Sequence, residues 1–488
     1  MKPVRPYVIP LFVGCILAAL FAVTYFTTDA GWKVGSVKLK FLTFEKFIRP
    51  NEQVKADIEE IIEDVDTSMV DDPMIQHING SNGAFGAPTG GEISENASTE
   101  LQMNDVGKQN LINFFKILDG VAANKQKISI LHYGDSQIEG DRMTNFIRNR
   151  IQNQFGGFGP GLVPATNVYS TISFKQSYSE SFKRFTSFGG KKLSSSKYGV
   201  MASASRFTKE YADSINIDTL TESKGWIEIE RSPSAYSRAR EFNNVKMHYN
   251  DCKSPVKLNV YENGALIHEE QLKTDGAYHS IKLNFPKTPG KLKFEFIGKV
   301  SPNICAFSLE GDYGVQVSNI GMRGSSGTVF GRMNQGTAKP MYAELNTKLV
   351  IMQFGGNSVP FFKDSSEVRN FASYFKGQIQ RVQSMNPGAM VIVIGPSDMS
   401  DNNEGVYETY EYLPYCVAQM RKVAMDSGGA FWNLYAAMGG KNSMPSWVEK
   451  GLAGNDHIHF SNGGAKIASQ KFYEAFVAEY AKWKNNNN

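Results

Sequence analysis

Cysteine is scarce in this chain: there are four among 488 residues, at positions 15, 252, 305 and 416. None lies in a Cys-x-x-Cys run or beside a histidine cluster, so metal-finger spacing is missing and no metal-ligand set can be read from the sequence. Also missing are basic clusters interleaved with aromatic residues and any helix-turn-helix pattern, which removes nucleic-acid binding from the functions indicated. One glycine-rich run, Phe155-Gly-Gly-Phe-Gly-Pro-Gly161, superficially suggests a phosphate cradle. It lacks the Lys-Ser/Thr pair that a phosphate loop needs and follows a helical pattern instead of joining a strand to a helix, so a turn near a site mouth is expected there. Beyond the first 28 residues no long apolar stretch advertises a lipid-binding lid. No cofactor is implied.

What is present centres on Ile128-Ser-Ile-Leu-His-Tyr-Gly-Asp-Ser-Gln137. Its first half alternates apolar side chains as a buried strand does, then breaks at Gly134. Met143, Phe146, Ile147 and Ile151 recur at helical spacing, which places Ser136 where a strand becomes a helix, with the helix expected to begin just after it. A hydroxyl held there suits a nucleophile, because free helix N–H groups and the positive dipole end favour negative charge developing beside it. The same residues also suit a plain strand-turn-helix capped by Asp135 and Ser136, and the segment alone does not decide.

A serine needs a base, and the base needs an orienting group. Gly454-Asn-Asp-His-Ile-His-Phe-Ser461 supplies both just before a helix expected over 462–484. Asp456 and His459 stand three apart, so one turn can offer the carboxylate to one ring nitrogen and Ser136 to the other. His457 is the rival base, two residues away.

Gly134-Asp135-Ser136, Asn319-Ile-Gly-Met-Arg-Gly324, Gly355-Gly356-Asn357 and Asp456-x-x-His459 resemble, in order, blocks one, two, three and five of the SGNH (GDSL-type) hydrolases. The sequence departs from that pattern at Gln137, where many members have Leu, and at Ser358, where many have Asp. The resemblance implies an α/β fold, a flavodoxin-like three-layer parallel sheet, with catalytic Ser136, Asp456 and His459. It further implies an oxyanion hole made of the Ser136 and Gly324 backbone N–H groups and the Asn357 amide. The Asp-x-x-His pattern selects His459 over His457.

The length exceeds what one core usually serves, so several parts are expected. Tyr7 to Phe26 are 20 residues without a charge, preceded by Lys2 and Arg5. This reads as a membrane anchor over 1–28 with its N-terminus in the cytoplasm. A cleaved signal peptide competes, although no clean small-x-small site follows the run, and the apolar stretch continues well past Cys15. Residues 29–100 read as a flexible stalk. Nine acidic residues and one Lys within 51–75 give −8, and 79–98 are rich in Gly, Asn and Ser; such stretches bury too little to order themselves. With the whole chain at +4, the rest carries +12, which tolerates an anionic polymer and equally suits a solvated basic surface.

A helix over about 101–123 opens the first hydrolase part, 101–164. From 165 to 313, short alternating runs such as Gly225-Trp-Ile-Glu-Ile-Glu, Val256-Lys-Leu-Asn-Val-Tyr and Lys291-Leu-Lys-Phe-Glu-Phe argue for an inserted antiparallel β-sandwich. It is similar to the carbohydrate-binding-like module of peptidoglycan O-acetylesterases. Trp226, Tyr236, Tyr249 and Tyr261 suit sugar stacking or, as most sandwich aromatics do, core packing. Cys252 and Cys305 can pair in an oxidising compartment or remain two buried thiols. Over 314–488, strands at 315–320, 348–354, 390–394 and 430–433 alternate with helices near 367–385 and 409–426, the pattern of a parallel sheet. Ser136, Gly324 and Asn357 then fall past strand ends in one crevice.

The expected function is a serine esterase removing O-acetyl groups from a cell-envelope glycan, peptidoglycan foremost, through a covalent acyl-enzyme. It would be anchored in a bacterial inner membrane with the catalytic domain in the periplasm. An O-acetyltransferase using the same triad, fed by a membrane acetyl donor, is the alternative. A glycan-binding protein with a vestigial site is a third reading, against which the joint presence of Ser136, Asn357, Asp456 and His459 argues.

Overall fold

The computed structural model describes residues 7–26, 32–34, 37–39, 53–63, 100–403 and 405–486. It divides into two compact units, Met1–Lys55 with Asn402–Glu408, and Ala56–Asp401 with Thr409–Asn488. In the first, Val8–Phe26 form a helix with no buried residue, apolar on every side and long enough to cross a bilayer. Trp32–Val34 pair antiparallel with Val37–Leu39. Gln53 exchanges hydrogen bonds with the Tyr407 backbone, at 2.6 and 2.8 Å.

The second unit is built on a six-stranded sheet. In spatial order its strands are Gly314–Gly321, Lys127–Gly134, Thr347–Gln353, Met390–Ile394, Ala430–Trp432 and Gln102–Met103. The first five run parallel and the last is an antiparallel edge. Parallel strands are covered on both faces and so read as continuous apolar runs, yet successive side chains still point to opposite sides. Leu131, Tyr133, Val350, Met352, Val391 and Val393 enter one core with helices Ser365–Met385 and Leu413–Asp426. Ile128, Ile130, Leu349, Ile351, Ile392 and Ile394 enter the other with helices Asp105–Gly120, Thr144–Phe155 and Asn462–Asn485.

Two antiparallel sheets share a third core. One orders His279–Asn284, Asn244–Asn250, Asn303–Glu310, Ser203–Arg206 and Lys183–Thr186; the other orders Ala265–Gln271, Val256–Glu262, Leu292–Gly298, Ser223–Arg231 and Phe174–Tyr178. Gly161–Pro164 also pair with Asn303–Glu310, so antiparallel pairing begins ahead of residue 165. The strand Asn303–Glu310 is buried on both sides. Ile304 and Phe307 face the sandwich core, whereas Cys305 and Ala306 join a core of the parallel sheet, which packs the two layers into one body. Cys252 and Cys305 are buried free thiols. Tyr249 is core, its hydroxyl accepting from the Lys273 N–H at 3.0 Å, while Trp226 is half-buried under the Lys293 ammonium at 5.4 Å.

Several expectations are corrected. The helix expected from residue 101 begins at Asp105, because Gln102–Met103 pair with the sheet and Asn104 caps the helix by accepting from the Gly107 N–H at 2.9 Å. The helix expected from 409 begins at Leu413 with proline in its first turn. The glycine-rich turn at 156–161 begins away from the expected site mouth and only its last residues approach it: Pro160 lines a cavity with Glu139, Gly140 and Gly321. Gly157, at φ +117, meets Val315 so closely that a Cβ would lie 2.4 Å from its carbonyl oxygen. Val315 is the second residue of the strand whose other end, Gly321, pairs with Gly134, so the start of the turn lies at the end of the sheet opposite Ser136.

Most of the stalk expected over 29–100 lies outside the described residues, but 56–63 are packed. The Ala56 N–H donates to the Asn442 carbonyl at 3.0 Å, the Ser446 hydroxyl donates to the Ala56 carbonyl at 2.6 Å, and Glu59 pairs with Lys450. Ile58 is 2% exposed, and Ile61 and Ile62 pack against the same core. The acid-rich composition conceals this apolar trio. Ile58→Ala should therefore lower the unfolding free energy by about 2 kcal/mol, measured by urea denaturation; an unchanged midpoint would return this segment to the tether.

Candidate active site

Ser136 lies two residues past the end of the strand Lys127–Gly134. Gly134 is required by close approach, since a Cβ there would lie 2.9 Å from Ile138 and 3.1 Å from the Gln353 carbonyl oxygen. The chain then turns sharply, and the Asp135 carboxylate accepts from the Gln137 N–H at 3.0 Å. No α-helix follows at once. A single 3-10 turn, Glu139–Asp141, intervenes, and the helix starts at Thr144. The Ser136 carbonyl is held by Arg142, whose guanidinium donates to it at 2.5 Å, to the Glu139 carbonyl at 3.1 Å and to the Phe460 carbonyl at 3.3 Å. The expected helix N-terminus beside the hydroxyl is thus replaced by a tight turn braced by an arginine.

His459 reaches the same place from the other end of the chain. Its Nε2 is 2.8 Å from Ser136 Oγ and its Nδ1 is 2.7 Å from Asp456 Oδ2. The other carboxylate oxygen of Asp456 accepts from the Ile458 and His459 N–H groups, both at 3.0 Å. Burial alone would raise the Asp456 carboxyl, but the His459 ring and these two N–H groups outweigh it and hold it below the ordinary range. An ionised Asp456 fixes Nδ1 as the protonated nitrogen and leaves Nε2 to accept from Ser136. His457 does not take this position: its backbone carbonyl accepts from the Ser400 N–H at 3.1 Å, and its side chain is buried.

Asn357 follows the strand Thr347–Gln353 in a 3-10 turn, and its Nδ2 donates to Asp135 Oδ2 and to the Ser325 carbonyl, each at 3.2 Å. Gly324 follows the strand Gly314–Gly321 and is exposed, with no atom within 4 Å of where a Cβ would sit. The ends of three adjacent strands thus deliver Ser136, Gly324 and Asn357 to one edge of the sheet. Asp135 lies beneath them. Burial is the main influence on it and pushes its carboxyl up to about 6, against the hydrogen bonds from Gln137 and Asn357 and the nearby His459.

Two residues to which the motifs assign no role hold this arrangement. Arg142 is one. Gln137 is the other: its Nε2 donates to the Ile458 carbonyl at 2.6 Å and to the Ser397 hydroxyl at 3.1 Å, and its Oε1 accepts from the Phe460 N–H at 3.3 Å. The available signal was an amide where the resembled family has a leucine. Beside the site, a groove of about 760 Å³ runs between the antiparallel layer and the parallel sheet, lined by Arg142, Arg323, Lys466, Tyr169, Tyr236 and Glu139 among others. Arg323 grips Glu139 with two bonds of 2.5 Å and covers the Tyr169 ring at 4.7 Å.

A parallel sheet with helices on both faces, and Ser136, His459 and Asp456 in hydrogen-bond series at the carboxyl ends of its strands, define an α/β protein with a candidate serine site. No protein-family profile and no curated protein sequence matches the chain. Among solved structures, a peptidoglycan O-acetylesterase shares the fold with a TM-score of 0.61 at 20% identity, over 78% of this chain and 99% of that one. A family two carbohydrate esterase from Cellvibrio japonicus aligns over 64% of this chain and 99% of its own, at 9% identity and a TM-score of 0.23, too low to bear on the fold.

The buried Asp135 sets a pH dependence. The unfolded chain releases its proton near the ordinary 3.8, whereas the folded state keeps it to about 6. Between those values the native state binds more protons, so this group's contribution to stability falls as pH rises through the window. Asp135→Asn removes the charge. The melting temperature of the variant relative to the parent should therefore be higher near pH 7.5 than near pH 4, as read by thermal unfolding; a difference independent of pH would contradict this.

Proposed function

We propose that this protein is a serine esterase that removes O-acetyl groups from a cell-envelope glycan, peptidoglycan foremost, as an SGNH-type hydrolase. The observation that carries the reading is the relay from Ser136 Oγ through His459 to Asp456, at 2.8 and 2.7 Å. As Ser136 attacks the acetyl carbonyl carbon, its proton passes to His459 Nε2, and Asp456 stabilises the imidazolium. The carbonyl oxygen becomes an oxyanion facing the Ser136 and Gly324 N–H groups and the Asn357 amide. Collapse breaks the bond to the sugar oxygen, which takes the proton from Nε2 and leaves acetyl on Ser136. Water, deprotonated by His459, then releases acetate.

The groove supports an extended substrate over a small free ester. Arg142, Arg323 and Lys466 against Glu139 leave its wall with two positive charges in excess, which suits a glycan carrying carboxylates. The apolar helix Val8–Phe26 would hold the catalytic unit at a bacterial inner membrane, on the periplasmic side where such a glycan lies.

Acetate release from O-acetylated peptidoglycan, compared with Ser136→Ala, tests the reading. Turnover should fall by about 10⁴-fold or more in the variant. Acetyl moved from an activated ester to a sugar oligomer, without hydrolysis, would replace the esterase by the transferase. Lys466→Ala should raise KM for the glycan about threefold to tenfold, the worth of one exposed ionic contact of about 1 kcal/mol. Its KM for p-nitrophenyl acetate should not change.

A further inference from the structure

We propose that Gln137 is a positioning residue that sets the His459 imidazole against the Ser136 hydroxyl; the proposal rests on the serine-esterase reading above. The backbone of Gln137 belongs to the nucleophile turn, where its N–H donates to Asp135 at 3.0 Å. Its side chain belongs to the histidine loop. The carboxamide spans His459, donating to the carbonyl of the preceding residue, Ile458, at 2.6 Å and accepting from the N–H of the following one, Phe460, at 3.3 Å. Nε2 also reaches the Ser397 hydroxyl at 3.1 Å, in the segment after the strand Met390–Ile394. Both donor hydrogens and one acceptor site of the amide are therefore used. Gln137 is only 8% exposed, so water competes little for these bonds.

Other restraints on the loop are of a different kind: the Ser400 N–H, which donates to the His457 carbonyl at 3.1 Å, ties it to the segment after the strand Met390–Ile394 and not to the serine turn. The Asp456 carboxylate and the Gly454 N–H, which donates to the His459 carbonyl at 2.8 Å, bind the loop to itself. They shape it without tying it to the serine. Arg142 supplies one further cross-link, at 3.3 Å to the Phe460 carbonyl. Gln137 joins the two sides through both peptide groups that flank the ring-bearing residue. A leucine fills similar volume but has neither donor nor acceptor, so here hydrogen bonds take over what apolar packing alone would have to do. A misplacement of about 1 Å in such a site lowers turnover by about 10²-fold.

The test uses the full chain with Gln137→Leu, Gln137→Glu and Ser136→Ala. The readouts are the rate of covalent labelling by a fluorophosphonate, kcat and KM on p-nitrophenyl acetate, and the downfield proton resonance of the His459–Asp456 hydrogen bond. Gln137→Leu should lower kcat and the labelling rate about 10- to 100-fold with little change in KM, and should shift the downfield resonance. Gln137→Glu is isosteric, and its protonated carboxyl restores both the donor and the acceptor, whereas its ionised form cannot donate to Ile458. Its labelling rate relative to the parent should therefore rise as pH falls, a response that a merely structural role would not give. Labelling of Gln137→Leu within about twofold of the parent, or a Gln137→Glu ratio flat with pH, overturns the proposal. Labelling that persists in Ser136→Ala overturns the underlying serine-site reading instead, so the two failures are distinguishable.

Discussion

The hydrogen bond between Ser136 and His459 closes 323 residues of chain at 2.8 Å. Bringing the ends of so long a segment together costs about 5 kcal/mol of chain entropy, far more than one neutral hydrogen bond returns in water. The site cannot assemble itself. What assembles it is the parallel sheet, which places the strand Lys127–Gly134 between Gly314–Gly321 and Thr347–Gln353. Because all three run the same way, the loops carrying Ser136, Gly324 and Asn357 leave from one edge. The helix Asn462–Asn485 packs on one face of that sheet through Ile467, Phe472 and Phe476, and so fixes the loop just before it, which holds His459.

Burial secures the strands more strongly than the site can disturb them. Every residue of Ile128–Gly134 is buried, and apolar side chains divide between two cores that lie on opposite faces. That surplus supports a polar layer which is itself unfavourable. Asp135 is forced towards neutrality by burial, yet its two oxygens orient the Gln137 N–H and the Asn357 amide. A carboxylate with a raised pKa weakens the fold at neutral pH. It is retained where it aligns two neighbouring groups, which an apolar side chain of the same size would release.

Much of this was legible in advance, and the remainder was hidden for identifiable reasons. Apolar periodicity marks the buried strands and the helices Ser365–Met385 and Asn462–Asn485, and the Asp-x-x-His spacing is short enough for one turn to join Asp456 to His459. Periodicity predicts a helix directly after Ser136, whereas Arg142 satisfies the Ser136 carbonyl and the helix begins at Thr144; nothing local in the sequence marks an arginine for that use. Gln137 escaped because its partners lie 260 to 323 residues away. The glycine turn at 156–161 was recognisable as a turn, but which end of the sheet it starts at depends on strand pairing. Ile58 was concealed by the charge of its neighbours, since composition averaged over 25 residues cannot show three isoleucines meeting a core.

The resting bonds of Asn357 bear on how such a site would favour the transition state. Its two amide hydrogens are turned to Asp135 and to the Ser325 carbonyl, both at 3.2 Å, the long end of the hydrogen-bond range. A neutral ester carbonyl offers the amide no advantage over Ser325, so binding substrate gains little from exchanging one acceptor for the other. Charge changes the comparison. A bond to an oxyanion is roughly twice as strong as one to a neutral oxygen, so under the proposed esterase reading the exchange would become favourable only as the tetrahedral intermediate forms. Asp135, by holding the other hydrogen, would keep the amide aimed during such an exchange. An interaction made in the transition state and withheld in the ground state raises turnover without tightening substrate binding, and under the proposed esterase reading the Ser325 carbonyl would be the group that withholds it.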